Sequence, residues 1–130
     1  MEAYAIHKSA MIAPRKARMT LDLVRGKDIY TAQGILANTN TKASRLIVKV
    51  LNSAIANAVN NNGAVESTLY ISECYINPGS ILKRWKPASR SHIDRRDKRT
   101  SHITIKVMDK VVAPKEETVE KKTKKVKEAK

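Results

Sequence analysis

Lys83-Arg84-Trp85-Lys86-Pro87-Ala88-Ser89-Arg90-Ser91-His92-Ile93-Asp94-Arg95-Arg96-Asp97-Lys98-Arg99 decides how this chain is read. The stretch holds eight Lys/Arg against two Asp, and its only large apolar side chains are Trp85 and Ile93. It lies between two segments that alternate as β-strands do. A connection this long inside a compact domain is uncommon and is usually functional or disordered. Its charges repel one another, and a dense polyanion such as a nucleic-acid backbone would neutralise them. Arginines outnumber lysines five to three, which favours forked phosphate contacts and stacking on bases. The expectation is a small domain carrying a basic arm.

The flanking segments give the arm its form. Leu69 to Ile76 reads as a strand with imperfect alternation: Leu69 and Ile71 share one parity, Cys74 and Ile76 the other. A bulge near Ser72-Glu73 reconciles them. His102 to Val107 alternates cleanly, with Ile103, Ile105 and Val107 on one face. Joined by residues 77–101, the two strands make a hairpin with a very long tip. At about 12 residues per arm and about 3.3 Å each, the reach is roughly 40 Å. That exceeds the radius of a domain this size, so the arm protrudes.

Upstream, residues 3–12 read as an extended segment. Pro14 opens a helix, since proline is well tolerated in a first turn. Ala17, Leu21 and Val24 mark its apolar face, Arg15, Arg18, Asp22 and Arg25 share a polar one, and Gly26 is a candidate C-cap. A short second helix spans Tyr30 to Asn38, weakened by Gly34. The third is the strongest: Ala43, Leu46, Ile47, Val50, Leu51, Ala54, Ile55 and Ala58 keep helical spacing for four turns, until Asn60-Asn61-Asn62-Gly63. Lys42, Arg45 and Lys49 read as its solvated face.

At 130 residues there is room for one modest core. The net charge of +14 is uneven: residues 1–76 carry +4, residues 77–110 carry +7, and residues 111–130 carry +3. Cys74 is the only cysteine, which excludes an intrachain disulfide and a cysteine-rich metal site; it reads as an inert buried thiol. No apolar run approaches the roughly 18–20 residues of a membrane span, and the N-terminus lacks the layout of a secretory signal, so a cytoplasmic setting is expected. Residues 111–130, rich in Lys and Glu, have almost nothing to bury and are expected to form a disordered tail after a single domain at 1–110.

Several constellations compete. Trp85 either stacks on a base or packs back on the arm's root. Arg15, Lys16, Arg18, Arg25 and Lys27 either contact RNA or form a solvated face. His92 with Asp94 and Asp97 suggests a nuclease, but the acids sit among arginines that would pair them, and no second carboxylate cluster offers a metal site. Gly26-Lys27 is not a phosphate-binding loop, because Leu21 stands where that motif needs glycine. A helix-turn-helix DNA reader is the main rival, yet residues 31–38 contain no Lys or Arg. A free RNA chaperone or a translation-factor module also remains open on composition.

Pro14-Arg-Lys-Ala-Arg18, Leu23-Val-Arg-Gly-Lys27, Ser53-Ala-Ile-Ala-Asn-Ala58 and above all Lys98-Arg-Thr-Ser-His-Ile-Thr104 resemble the bacterial type of the large-subunit ribosomal protein twenty-two family, in collinear order over about residues 3–108. The resemblance implies an α+β fold, three helices packed on a small antiparallel sheet with a long protruding β-hairpin at about 77–102. It implies a non-enzymatic structural constituent of the large ribosomal subunit, which binds 23S ribosomal RNA, supports assembly and lines the nascent-peptide tunnel with its hairpin tip. The family's Lys-Arg pair before the turn falls on Lys83 and Arg84, its proline on Pro87, and its basic arm positions on Arg90, Arg95, Lys98 and Arg99.

The combined RNA-binding set is Arg15, Lys16, Arg18, Arg25, Lys27, Lys83, Arg84, Lys86, Arg90, His92, Arg95, Arg96, Lys98, Arg99 and His102. The tunnel-tip set is Lys83, Arg84, Trp85, Lys86 and Arg90. Implied partners are large-subunit RNA, neighbouring large-subunit proteins and the nascent peptide, with no cofactor, metal, membrane or homo-oligomer. The chain departs from the family at Ala88, where arginine is common, and at Ser91, where glycine is common.

Overall fold

The structure is a computed structural model that describes residues 2–110. The expected tail at 111–130 lies outside the described residues. The elements are β1 (Glu2–Ala10), α1 (Pro14–Leu21), α2 (Ile29–Asn38), α3 (Lys42–Asn62), β2 (Leu69–Pro87) and β3 (Ile93–Asp109), with short 3-10 turns at Glu66–Thr68 and Ser89–Ser91. The fold is α+β: three helices lie against an antiparallel sheet of order β1-β3-β2.

The third helix forms as its periodicity demands. Thr41 caps it by accepting the Ser44 N–H at 3.1 Å. Gly63, at φ +64°, ends it in the left-handed conformation, and the Ala64 N–H returns to the Ala58 carbonyl at 3.2 Å. Ala43, Ile47, Val50, Leu51, Ala54, Ile55 and Ala58 are buried; Leu46 is only partly buried, at the margin of the core. They meet Ala3 and Ala5 of β1 and Ile103, Ile105 and Val107 of β3 in one apolar cluster, where each fully buried Leu or Ile contributes about 1.5–3 kcal/mol.

α1 is shorter than its pattern suggests. It ends at Leu21, after which the Val24 and Lys27 N–H groups make tight i−3 bonds to Leu21 and Val24. Gly26, at φ +70°, belongs to this turn rather than to a helix cap. Val24 is nonetheless fully buried, because the turn carries it back onto the core.

The sheet positions the arm. The register shifts between Ile71 and Glu73, at the expected bulge, so Leu69, Ile71, Cys74 and Ile76 are all buried. A second shift falls between Pro78 and Ile81. β1 ends opposite Ser101, while β2 and β3 continue alone, paired from Ile81↔Arg99 to Pro87↔Ile93. The free ribbon is shorter than the 40 Å expectation: Gly79 to Pro87 spans roughly 30 Å at about 3.3 Å per residue. The difference arises because Ile76, Thr100 and Ser101 still belong to the buried sheet.

Side chains from α1, the turn after it and α3 close both outer sheet edges. On the β2 side, Arg18 donates through Nε and Nη2 to the Ile76 carbonyl (3.2 and 3.0 Å), and Arg25 donates to the Cys74 carbonyl (3.3 Å). On the β1 side, the Nδ2 groups of Asn57 and Asn62 donate to the carbonyls of Tyr4 (3.0 Å) and Glu2 (3.1 Å).

Candidate nucleic-acid interface

Antiparallel pairing places directly opposed residues on one face, so the register of the ribbon sorts its side chains. One face carries Leu82↔Lys98, Arg84↔Arg96 and Lys86↔Asp94: four cations against one acid. Arg84 and Arg96 are directly opposed, an arrangement that repels unless an anion lies between them. The other face carries Ile81↔Arg99, Lys83↔Asp97, Trp85↔Arg95 and Pro87↔Ile93. There Asp97 accepts from Arg95 Nε at 2.9 Å, so that face mixes apolar groups with a partly neutralised charge.

The tip is a five-residue turn, Ala88 to His92. The Ala88 N–H donates to the His92 carbonyl (2.8 Å) and the His92 N–H to the Ser89 carbonyl (3.2 Å). Arg90 (φ 55°) and Ser91 (φ 59°) are both left-handed, which costs a non-glycine residue about 1–2 kcal/mol. Ser91 therefore holds a conformation that glycine would adopt freely. Among the tip candidates only Arg90 lies in the turn. Lys83, Arg84, Trp85 and Lys86 stand on the strand leading to it.

Of the fifteen RNA-binding candidates, Lys83, Arg84, Lys86, Arg90, His92, Arg95, Arg96, Lys98 and Arg99 are brought together on the exposed ribbon and turn. Arg15, Lys16 and Lys27 are exposed at α1 and the turn after it. Arg18 and Arg25 are occupied in part by the β2 edge, and Arg25 also pairs with Asp22 at 2.9 Å. His102 is half-buried, and its Nδ1 accepts the Ser9 N–H at 2.9 Å. Sequence periodicity shows that these groups share polar faces; it does not show that a backbone stands within reach.

The root of the arm contains a feature the sequence reading missed. Thr100 is buried and donates its hydroxyl to the Ser80 carbonyl at 2.7 Å. A Cβ at Gly79 would lie 2.5 Å from Thr100 Oγ1 and 3.3 Å from His102 Nε2. The two strands close here because position 79 has no side chain; Pro78-Gly79 is the only sequence trace of it. Thus Lys98 to Thr104, the most distinctive motif of the chain, spans the junction between arm and core.

Electrostatics elsewhere are structural. Lys106 bridges Glu73 (2.8 Å) and Glu2 (3.3 Å), whose hydrogen bonds raise its pKa. Burial raises the pKa of the Cys74 thiol, against an opposing effect of Arg25. Among the described residues no group of three or more His, Cys, Asp or Glu is placed to hold a metal ion, and no helix is long and apolar enough to cross a membrane.

The model of ribosomal protein L22p/L17e matches residues 5–108. The chain belongs to that family. Its members are structural, non-enzymatic constituents of the ribosome. A relative from Mycoplasmopsis agalactiae is 50% identical over 109 residues, covering 84% of this chain and 96% of its own length. One from Halothermothrix orenii is 49% identical over 110 residues (85% and 97%), and one from Thermus thermophilus 47% identical over 105 residues (81% and 93%). All three are named large ribosomal subunit protein uL22. The family match covers all three helices and almost the whole hairpin, so the arm is part of the family fold and not an appendage to it.

Proposed function

We propose that the chain enters the large ribosomal subunit by binding 23S ribosomal RNA, with the ribbon threaded between RNA segments and its tip at the nascent-peptide tunnel. The observation that carries this is the opposed Arg84/Arg96 pair flanked by Lys86 and Lys98. Packed RNA helices bring phosphates together, and a double row of cations neutralises them and fixes their spacing. The core supplies a rigid base, and Arg15, Lys16 and Lys27 a second, weaker contact. Lys83, Arg84, Trp85, Lys86 and Arg90 are the tip group, at the tunnel end of the ribbon. Partners are the RNA, neighbouring large-subunit proteins and the nascent peptide, in a cytoplasmic ribosome. A DNA-reading role is disfavoured because α2 carries no Lys or Arg to reach base edges.

The test is cosedimentation with large subunits from a lysate, followed by RNA binding as a function of salt. Each phosphate contact contributes about 0.9 to the slope of log affinity against log salt. Arg84→Ala/Arg96→Ala should therefore lower the slope by about two. A protein that stays in the soluble fraction, or a slope unchanged by the double variant, would refute this assignment.

A further inference from the structure

We infer that the Trp85 face of the arm is a stacking platform for an unpaired RNA base, while the Arg84/Arg96 face takes the phosphates. This rests on the RNA-binding role proposed above and adds which chemical part of the RNA meets which face. Three observations carry it. First, Trp85 does not pack back on the root of the arm: it is 64% exposed, and Ile93 beside the tip is 67% exposed. Second, Trp85 stands directly opposite Arg95, whose Nε is held by Asp97 at 2.9 Å. An indole and a guanidinium fixed by a hydrogen bond are thus set side by side on one face, both planar groups on which a base stacks. Third, Pro87 and Ile93 extend the apolar surface toward the turn.

The surroundings select the occupant. On its own face Trp85 is flanked by three cations, Lys83, Arg95 and Arg99, against Asp97 as the one acid. Asp97 can neutralise only one of them, so an apolar protein surface laid over Trp85 would take the remaining cations from water without counter-charge, which is costly. A nucleotide brings a flat apolar base and an anionic phosphate together, so it satisfies both. Duplex RNA has no free base face to offer. Trp85 is then turned toward RNA and leaves the peptide-facing group, in which Arg90 and the turn remain.

Trp85 is the only tryptophan of the chain, so intrinsic fluorescence of the full-length protein reports this face alone. The probes are a single-stranded RNA oligonucleotide, an RNA duplex of equal length and inorganic polyphosphate, each titrated while binding is followed separately. All three should bind at low salt, but only the single strand should strongly quench the emission. Trp85→Ala should weaken single-strand binding about ten-fold with an unchanged salt slope, Trp85→Phe should restore most of it, and neither should alter duplex binding. Equal quenching by all three probes, or full single-strand affinity in Trp85→Ala, overturns the inference while leaving RNA binding intact. Absence of binding by any RNA defeats the RNA-binding role itself, and this inference with it.

Discussion

Gly79→Ala should weaken the root of the arm. The backbone at 79 is not left-handed, so the substitution meets no conformational penalty; the obstacle is space. The new Cβ would sit 2.5 Å from Thr100 Oγ1 and 3.3 Å from His102 Nε2 and from the Thr100 carbonyl carbon. Thr100 is 3% exposed, β-branched and tied to the Ser80 carbonyl at 2.7 Å, so it cannot simply turn aside. Overpacking of this kind costs about 1–3 kcal/mol; rotating the hydroxyl away instead forfeits a hydrogen bond worth about 1 kcal/mol. The reduced freedom of the unfolded chain returns about 0.4–1 kcal/mol. The net loss is about 1–2 kcal/mol, a fall of roughly 5–10 °C in Tm for a domain of this size. Thermal unfolding followed by circular dichroism measures it, in a double-mutant cycle with Thr100→Ala. In the Thr100→Ala background the obstructing oxygen is gone, so Gly79→Ala should cost no more than a few tenths of a kcal/mol. A wild-type Tm for Gly79→Ala, or an equal cost in both backgrounds, would show that contact with Thr100 is not what excludes a side chain.

Two further outcomes are expected. Ser91→Gly should relieve about 1 kcal/mol of strain at the turn, seen as slower amide exchange in the ribbon without a change in the core; faster exchange there would contradict the strain. Native Cys74 should react with a thiol reagent far more slowly than the unfolded chain, because burial disfavours its thiolate. Since the shift is upward, the thiol's contribution to stability is complete below its ordinary pKa and is lost as pH rises above it. A native thiol as reactive at pH 9 as the denatured one would oppose this.

The parts of the fold that read clearly from sequence are those where burial acts on one chain at a time. The spacing from Ala43 to Ala58 demands a helix whatever packs on it, and the parity change between Ile71 and Cys74 requires the bulge seen at Ser72. Arg18 and Arg25 behave differently. Their spacing marks a polar face, but the carbonyls of Ile76 and Cys74 come within reach only once the sheet exists. His102 likewise looks like part of the basic arm until β1 brings Ser9 to its Nδ1. The cations of the arm were legible because nothing folded lies near them; their division into two faces depends on pairing register, which the shift between Pro78 and Ile81 sets and composition does not reveal.

Past the end of β1, the ribbon has two uncovered backbone edges. Such edges are templates for strand addition by another copy, and among the described residues no helix side chain closes them. Lysines and arginines along both strands guard them, because a second ribbon would have to lay like charge on like charge. The groups that guard the ribbon against aggregation are thus the same ones proposed to meet RNA. That protection is conditional: at 1 M salt, where screening reaches only about 3 Å, and with RNA absent, the arm would become a self-association site, and concentrated protein should form β-rich oligomers there first.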